Sequence, residues 1–373
     1  MSQSVRIAAF GLVLSLAIAG ASYKALGATQ APAERIEVAF VLDTTGSMAG
    51  LIDGAKRKIW SIANTIVDVN PDADIRMALI GYRDQGDDYV VKTFDMTADI
   101  QALYGHLLRF QADGGRDTPE SVNEALDAGI SELSWSHEEG ARRILFLVGD
   151  APPHMDYANG PKYDRVLKEA REAGIIVNTV QAGGDPETTE YWREMAKLGA
   201  GQYFAIPQDG GQIEVVQSPY DEEIIRLQGR IDGTIILYGT REKRAETRSK
   251  VDTRAAAPSS VQVDNSRYYS KKTASKEVVT GGGDLLDDVR NKVRSIEELK
   301  AEELPDELKG KSAAELKTIV AGKTAEREKL EAEIADLVKK RDDYLAQETA
   351  KQAETKPSDS FDRSVTEALS SQL

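Results

Sequence analysis

Three segments of the chain carry oxygen-bearing side chains at a spacing that suits a hard metal ion. Residues 43–47 form a D-x-T-x-S pattern, in which Asp43, Thr45 and Ser47 present a carboxylate and two hydroxyls on alternate residues. Thr118 supplies a third hydroxyl, and Asp150 supplies a second carboxylate at the end of an apolar run. This all-oxygen set suits Mg²⁺, with Mn²⁺ or Ca²⁺ as alternatives. Because two carboxylates do not overwhelm the charge of the ion, it would remain electrophilic toward an outside ligand.

Each of these segments also has an ordinary structural explanation when it is taken alone. Asp, Thr and Ser beside a glycine are common helix-capping residues, and Asp150 could cap a loop. The metal interpretation therefore depends on convergence of the three segments, which requires a fold that brings their strand ends together.

The elements that must position these residues alternate between apolar strands and amphipathic helices. The predicted strands are 36–42, 75–82, 89–94, 143–148, 175–181 and 201–206. The predicted helices are 48–67, 100–110, 119–133, 162–173 and 187–198. This pattern predicts a doubly wound, mostly parallel six-stranded α/β sheet with helices on both faces, in which 89–94 is an edge strand. Ligands of such sheets bind at the carboxyl ends of strands where the winding direction reverses.

The motif Asp43-x-Thr45-x-Ser47, with Thr118 and Asp150 in that order, resembles the metal-ion-dependent adhesion site of von Willebrand factor A (vWA) domains. The resemblance covers about residues 36–215 and implies a Rossmann-like fold. It also implies that the three hydroxyls touch the metal, that the two aspartates act through water, and that a partner supplies an Asp or Glu. Thr45 stands where the family usually has Ser, which keeps the hydroxyl.

Longer stretches of the sequence resemble a secreted bacterial subgroup of vWA proteins that has a helical tail. These stretches are YRDQGDDY, GGRDTPESV, GDAPPH, LPDELKGKSAAELK and FDRSVTEAL. The resemblance implies no biochemical activity for this subgroup.

Other polar residues leave a functional and a structural interpretation open. Three acids, Asp84, Asp87 and Asp88, form either a second Ca²⁺ site or a solvated turn. Asp117 either tunes the metal site or belongs to a turn. His154 either contacts a ligand or is structural, and the pair 268–269 is predicted to be local tyrosine packing.

The acidity of the chain is concentrated in the predicted sheet region. The net charge is -15, and residues 36–215 contribute 16 Lys+Arg against 30 Asp+Glu, whereas residues 216–373 contribute 28 against 31. Such a surface disfavours nucleic acid and anionic lipid and attracts cations. The chain has no cysteine, which excludes disulfides, thiolate metal sites and a cysteine nucleophile.

The N-terminus predicts export from the cytoplasm. Arg6 precedes an apolar run over 7–21, which is short for a membrane span but typical of a secretory signal, with cleavage after Ala21 or Gly27. An uncleaved membrane anchor is the alternative. We therefore expect a periplasmic or secreted protein.

The region after the predicted sheet is mainly α-helical. We expect short helices and a linker over 216–280, then a helical hairpin or short coiled coil over 281–350, built from 284–300 and a long helix over 312–348. Three cationic positions, Lys323, Arg327 and Arg341, interrupt the apolar seam of that helix, and helix-mediated self-association is open. Residues 351–373 are predicted as a linker and an amphipathic helix with Phe361, Val365 and Leu369 on one face.

Three functional classes are compatible with these features. The first is a non-enzymatic binding module that holds a partner protein through the metal. The second is a metal-dependent hydrolase, which is disfavoured because the sequence shows no general base beside the five ligands. The third is a vWA subunit of an AAA+ or chelatase assembly, which the signal sequence opposes because ATP-driven motors are cytoplasmic.

Overall fold

The computed structural model describes residues 34–115, 118–211, 216–273, 276–352 and 360–373. The predicted signal segment, 1–27, lies outside these residues, as do Arg116 and Asp117. No helix in the described part of the chain combines the length and apolar composition that a bilayer crossing requires.

A six-stranded sheet forms the centre of the molecule. Its strands are β1 (Arg35–Asp43), β2 (Asp74–Tyr82), β3 (Val91–Thr97), β4 (Arg142–Gly149), β5 (Ile175–Ala182) and β6 (Ala200–Ile206). The strand order is β3-β2-β1-β4-β5-β6, and every pairing is parallel except β2 with β3. The winding direction reverses between β1 and β4, so the carboxyl ends of these two strands flank the switch point.

Helices cover both faces of the sheet, which confirms the predicted α/β fold class. The helices of this region are α1 (Ala49–Val69), α2 (Ile100–Leu108), α3 (Val122–Ser131), α4 (Tyr163–Glu172) and α5 (Pro186–Leu198). Side chains of α1 and α2 pack on one face, and those of α3, α4 and α5 pack on the other. The strands are buried on both faces, which explains their continuous apolar sequences.

One predicted helix boundary in this region is wrong. The sequence places Pro119 in the first turn of a helix, but α3 begins at Val122. The Glu120 amide donates to the Pro152 carbonyl at 3.0 Å, and the His154 amide donates to the Glu120 carbonyl at 3.1 Å. These bonds hold residue 120 in an isolated bridge with Pro153, so the backbone is extended where the helix was expected.

The C-terminal region contains six helices among the described residues. They are α6 (Asp221–Asp232), α7 (Arg241–Ala255), α8 (Ser259–Lys271), α9 (Leu285–Arg290), α10 (Ala313–Gln352) and α11 (Phe361–Gln372). The sequence interpretation missed α8, whose side chains Val261 and Tyr268 join the core beneath α1. The terminal helix α11 also packs on α1 and on the β5–β6 side of the sheet.

The helical hairpin predicted for 281–350 needs correction in its first half. The predicted helix over 284–300 is only six residues long in α9, because Asn291 caps it and Lys292 has φ +60°. Short 3-10 turns follow up to Leu308. The long helix α10 therefore packs chiefly along α6 and α8 rather than against one hairpin partner.

Buried ion pairs accommodate two of the three cations that interrupt the apolar seam of α10, and the third, Lys323, donates to the Gly233 carbonyl. Arg327 is 1% exposed, and its guanidinium donates to Asp284 at 2.5 Å, Asp287 at 2.8 Å and the Thr234 hydroxyl at 2.8 Å. Farther along the helix, Arg341 donates to Asp221 at 2.9 Å. Arg327 lies between the two apolar clusters of α10, and Arg341 lies beyond the second.

Candidate metal site

The first site segment is the turn that joins β1 to α1. Asp43 is the last residue of β1 and is fully buried, and its Oδ1 accepts hydrogen bonds from the Thr45 amide at 2.8 Å and the Thr45 hydroxyl at 2.6 Å. The Thr45 and Ser47 hydroxyl oxygens lie 3.2 Å apart. The structure therefore brings the first three predicted residues together, with Ser47 at the exposed edge.

Asp150 approaches this turn from the neighbouring strand. It follows β4, the strand that pairs with β1 across the switch point. A side chain at Gly149 would place its Cβ 3.2 Å from the Asp43 Cβ and 2.3 Å from the Tyr82 hydroxyl, so only glycine permits this approach. The Asp150 Oδ2 accepts a hydrogen bond from Gln208 at 2.6 Å, which restrains the carboxylate from the β6 side.

Thr118 lies in the loop that joins α2 to α3. It is exposed, and no hydrogen bond joins its hydroxyl to Asp43, Thr45, Ser47 or Asp150. Its segment nevertheless touches the β1–α1 turn, because the Gly46 amide donates to the Gly114 carbonyl at 3.3 Å. Hydrogen bonds thus join Asp43, Thr45 and Ser47, Asp150 lies beside Asp43, and the segment that carries Thr118 adjoins the same turn.

Glu120 is a site residue that the sequence interpretation missed. Its side chain is 3% exposed, and its Oε1 lies 2.8 Å from the point where a Gly115 Cβ would stand, while the Thr45 Cβ lies 2.6 Å from the same point. Gly115 has φ +64°, so glycine is favoured there both by conformation and by space. The sequence shows only that an acid stands two residues after Thr118. Its burial could not be predicted, because it depends on the backbone bridge between Glu120 and Pro153.

Ionisation of the carboxyl groups at this centre is unfavourable when no cation is bound. Burial, followed by the charge of Asp150, raises the pKa of Asp43 to about 7. Burial, followed by the charges of Asp43, Asp84, Asp87 and Asp150, raises the pKa of Glu120 to about 9. Several carboxyl groups therefore share one poorly solvated region that would be stabilised by a nearby positive charge.

Two orphaned oxygens show that the donor set fits a cation. Asp43 Oδ2 and Glu120 Oε2 are buried without a hydrogen-bond partner. The backbone amide of Asp150 lies near the Asp43 carboxyl and slightly opposes the rise of its pKa. A buried oxygen without a partner costs about 1–3 kcal/mol, and more when it is charged. Among the described residues no three His, Cys, Asp or Glu side chains converge as a metal cluster, so the fit depends on the hydroxyls of Thr45 and Ser47.

The acids of the β2–β3 loop take structural positions around this centre. Asp84 is 6% exposed and accepts hydrogen bonds from the Ser121 hydroxyl at 2.9 Å and the Tyr157 hydroxyl at 3.0 Å. Asp87 accepts the Gly115 amide at 3.0 Å, and Asp88 is exposed. These acids contact separate partners, which accounts for the loop without a second Ca²⁺ ion.

His154 links two loops rather than facing solvent. It is 7% exposed and stacks on Tyr157 with ring centroids 3.9 Å apart. Its Nδ1 lies 2.7 Å from Asp156, and its Nε2 lies 3.5 Å from Asp84, at the outer limit of a hydrogen bond. The tyrosines at 268 and 269 pack against Trp60, far along the chain from the metal-site loops.

Comparisons with known proteins agree with this architecture. Residues 37–212 match the family model described as von Willebrand factor A domain. No curated protein sequence matches the chain.

Several solved structures are similar to part of the chain. One is conserved hypothetical protein BatB from Bacteroides thetaiotaomicron, with 18% identity over 47% of this chain and 90% of that one, at a TM-score of 0.35. The SpRpn10 VWA domain has 13% identity over 47% of this chain and 89% of that one, at a TM-score of 0.36. The pilus adhesin SpaC from Lactobacillus rhamnosus GG has 16% identity over 48% of this chain and 29% of that one, at a TM-score of 0.37.

The family match covers the six strands except the first two residues of β1, and it includes every residue of the candidate metal site. The strand order, the switch point and the β1–α1 turn are therefore parts of one recognised domain. Residues 37–212 of this chain therefore form a von Willebrand factor A domain.

Proposed function

We propose that this protein is a non-enzymatic binding protein whose vWA domain holds a partner through a divalent metal ion. The proposed ligands are Asp43, Thr45, Ser47, Thr118 and Asp150. The observation that carries the proposal is the unpartnered, buried Asp43 Oδ2 beside the hydrogen-bonded hydroxyls of Thr45 and Ser47. Mg²⁺ is the expected ion, because the donors are all oxygens and few in number, with Mn²⁺ or Ca²⁺ as alternatives.

In this proposal some side chains bind the metal directly, and others hold those ligands in position. Thr45 and Ser47 contribute hydroxyl oxygens, while the buried Asp43 carboxylate orients the Thr45 hydroxyl by accepting its hydrogen. Gln208 holds one Asp150 oxygen at the opposite side. When bound, the metal supplies a Lewis-acidic position that an Asp or Glu carboxylate of a partner protein can fill.

Sequence features also indicate the cellular location of the protein and the class of its partner. The N-terminal signal pattern indicates a periplasmic or secreted protein, or one anchored to the inner membrane if the signal is not cleaved. Nucleic acid is not an expected ligand because the domain is acidic. The helical C-terminal region provides a second surface for a partner or for self-association.

Water-proton relaxation with Mn²⁺ tests both the ion and the carboxylate. We expect one Mn²⁺ to bind per chain, and we expect acetate, but not acetamide, to displace a coordinated water and lower the relaxation enhancement. Ser47→Ala should weaken Mn²⁺ binding by about tenfold or more. Ser131→Ala is the matched control, because Ser131 is an exposed helical serine bonded only to the Asp127 carbonyl.

Two results would contradict the proposal. If Ser47→Ala and Asp43→Asn both leave Mn²⁺ binding unchanged, the ion binds elsewhere. If acetate and acetamide act alike, the bound ion offers no position to a carboxylate.

A further inference from the structure

The end of the sheet that carries the metal site is strongly acidic. The loops at this end follow the parallel strands, join β2 to β3, or join α2 to α3. Seven aspartates in these loops are exposed or half-exposed: Asp87, Asp88, Asp113, Asp150, Asp156, Asp185 and Asp209. We call these residues the acidic rim.

Few cations offset the acidic rim. Among the described residues of these loops, Arg83 lies 3.9 Å from the Asp88 carboxylate, Arg109 is exposed beside His106, and Lys162 donates to the carbonyls of Met155 and Tyr157. Arg116 and Asp117 lie outside the described residues and cancel in formal charge. One divalent ion would therefore leave the rim with a large negative charge.

Direct contacts connect the rim to the metal-site turn. The Asp113 amide donates to the Thr44 carbonyl at 3.1 Å, and the Asp87 carboxylate accepts the Gly115 amide beside Thr45. A Cβ at Gly50, in the first turn of α1, would lie 3.0 Å from the Asp209 Cα. A partner that reaches the metal must therefore approach through the field of these carboxylates.

The buried centre of this end independently indicates a ligand of positive charge. Asp43 is 0% and Glu120 3% exposed, and each has a buried carboxylate oxygen without a hydrogen-bond partner. The ion satisfies that centre, but outside it, within the part of the chain that the structure describes, only Asp88 and Asp156 of the rim have a basic side chain within 4 Å, Arg83 and His154 respectively. A partner carboxylate without accompanying cations would be repelled by the rim, since like charges within about 10 Å interact appreciably at physiological salt.

From this arrangement we infer that the partner is a basic protein segment: an Asp or Glu that reaches the metal, flanked by Lys or Arg residues that contact the acidic rim. This inference rests on the proposed function, and it adds the charge of the partner around the metal-binding residue. Met155 is 39% exposed beside Asp156 and offers a small apolar contact within the rim.

Fluorescence anisotropy with defined peptides tests this inference on the full chain in Mg²⁺. The labelled probes share one length and differ only in the central residue and its flanks: aspartate flanked by lysines, by serines or by glutamates, and asparagine flanked by lysines. We expect the lysine-flanked aspartate peptide to bind about tenfold or more tighter than the serine-flanked one at low salt, and the advantage to shrink at high salt. Equal or tighter binding of the serine- or glutamate-flanked peptide would overturn the inference, and so would no binding of any peptide.

The asparagine peptide separates this inference from the proposed function. If it binds as tightly as its aspartate counterpart, or if a chelator changes nothing, the attraction of the lysines to the acidic rim is right and the metal bridge is wrong. The inference as a whole is then wrong, because it requires a carboxylate on the metal. Only the binding of cationic side chains to the acidic rim would remain supported.

A pair of charge variants locates the effect on the protein. The double variant Asp88→Asn/Asp209→Asn should weaken the lysine-flanked peptide by about fourfold at low salt, at roughly twofold for each exposed charge. Glu139→Gln/Glu172→Gln is the matched control, because both acids are exposed at the opposite end of the sheet, before β4 and β5. Equal losses in the two double variants would show that only net charge matters and would overturn the assignment to the rim.

Discussion

Asp43→Asn should stabilise the metal-free protein while abolishing its response to metal. The rise of the Asp43 pKa from 3.8 to about 7 corresponds to roughly 4 kcal/mol of lost folding stability when the carboxyl is ionised. Asparagine removes that cost and can still accept hydrogen bonds from Thr45 through its Oδ1. The gain is reduced because the introduced amide nitrogen then needs partners of its own, so we expect about 2–4 kcal/mol at pH 8.

The sign of the pH dependence follows from the direction of the shift. A carboxyl whose folded pKa is raised binds its proton more tightly in the folded state, so its ionisation destabilises the fold. The stability of the metal-free protein should therefore fall as pH rises from about 4 to 7 because of Asp43. Ionisation of Glu120 should extend the fall toward pH 9.

Urea unfolding in chelator at pH 5 and pH 8 measures this effect. The difference between the two pH values should be smaller in Asp43→Asn than in the wild type. Asp185→Asn is the control, because hydrogen bonds from Thr188 lower the pKa of Asp185, and its loss should destabilise rather than stabilise. The reasoning is refuted if Asp43→Asn is no more stable than the wild type at pH 8.

Three further predictions follow from packing and can be measured by urea unfolding. Arg327→Ala should cost about 3–5 kcal/mol because it leaves Asp284 and Asp287 buried without their partner; a loss below about 1 kcal/mol would show that the pair is solvated. Phe361→Ala should cost about 3–5 kcal/mol, since Phe361 is 4% exposed and meets Phe40 edge-on with ring centroids 6.3 Å apart; an unchanged midpoint would mean that α11 does not contribute to the core. Gly115→Ala should both destabilise the fold and weaken Mn²⁺ binding, because its Cβ would overlap Thr45 and Glu120 at φ +64°; wild-type Mn²⁺ affinity would contradict the placement of that loop.

The sheet and the first site segment were predictable from the sequence because both depend on local patterns. Continuous apolar strands identify a sheet covered on both faces, and the D-x-T-x-S pattern at the end of β1 places Asp43, Thr45 and Ser47 within one turn. Asp150 was predictable because β4 ends at Gly149 beside the switch point.

The remaining features depend on contacts between distant segments. Glu120 becomes a buried site residue only through its backbone bridge to the loop after β4. The helix α8 has weak periodicity, and its order comes from packing of Tyr268 on Trp60. The amphipathic face of α11 was predictable, but its position on α1 and the sheet was not.

The role of the cations in α10 was also hidden from pattern analysis. Arg327 interrupts an apolar seam in the sequence, yet it is compensated by acids about 40 residues earlier, at Asp284 and Asp287. The spacing of apolar residues along a helix is judged from the hydropathy of each residue alone. It therefore gives no information about ion-pair partners that lie elsewhere in the chain. Asp43, Thr45 and Ser47, by contrast, were recognisable as one candidate ligand group because they are neighbours in the sequence.

Isothermal titration calorimetry with Mg²⁺ tests the central claim most directly. The wild-type chain should bind one Mg²⁺ ion, and Asp43→Ala should bind it at least about tenfold more weakly. Glu139→Gln, at the opposite end of the sheet, should leave the Mg²⁺ affinity unchanged. Equal Mg²⁺ affinity in Asp43→Ala and the wild type, or no binding by the wild type, would contradict a metal site at the junction of β1 and α1.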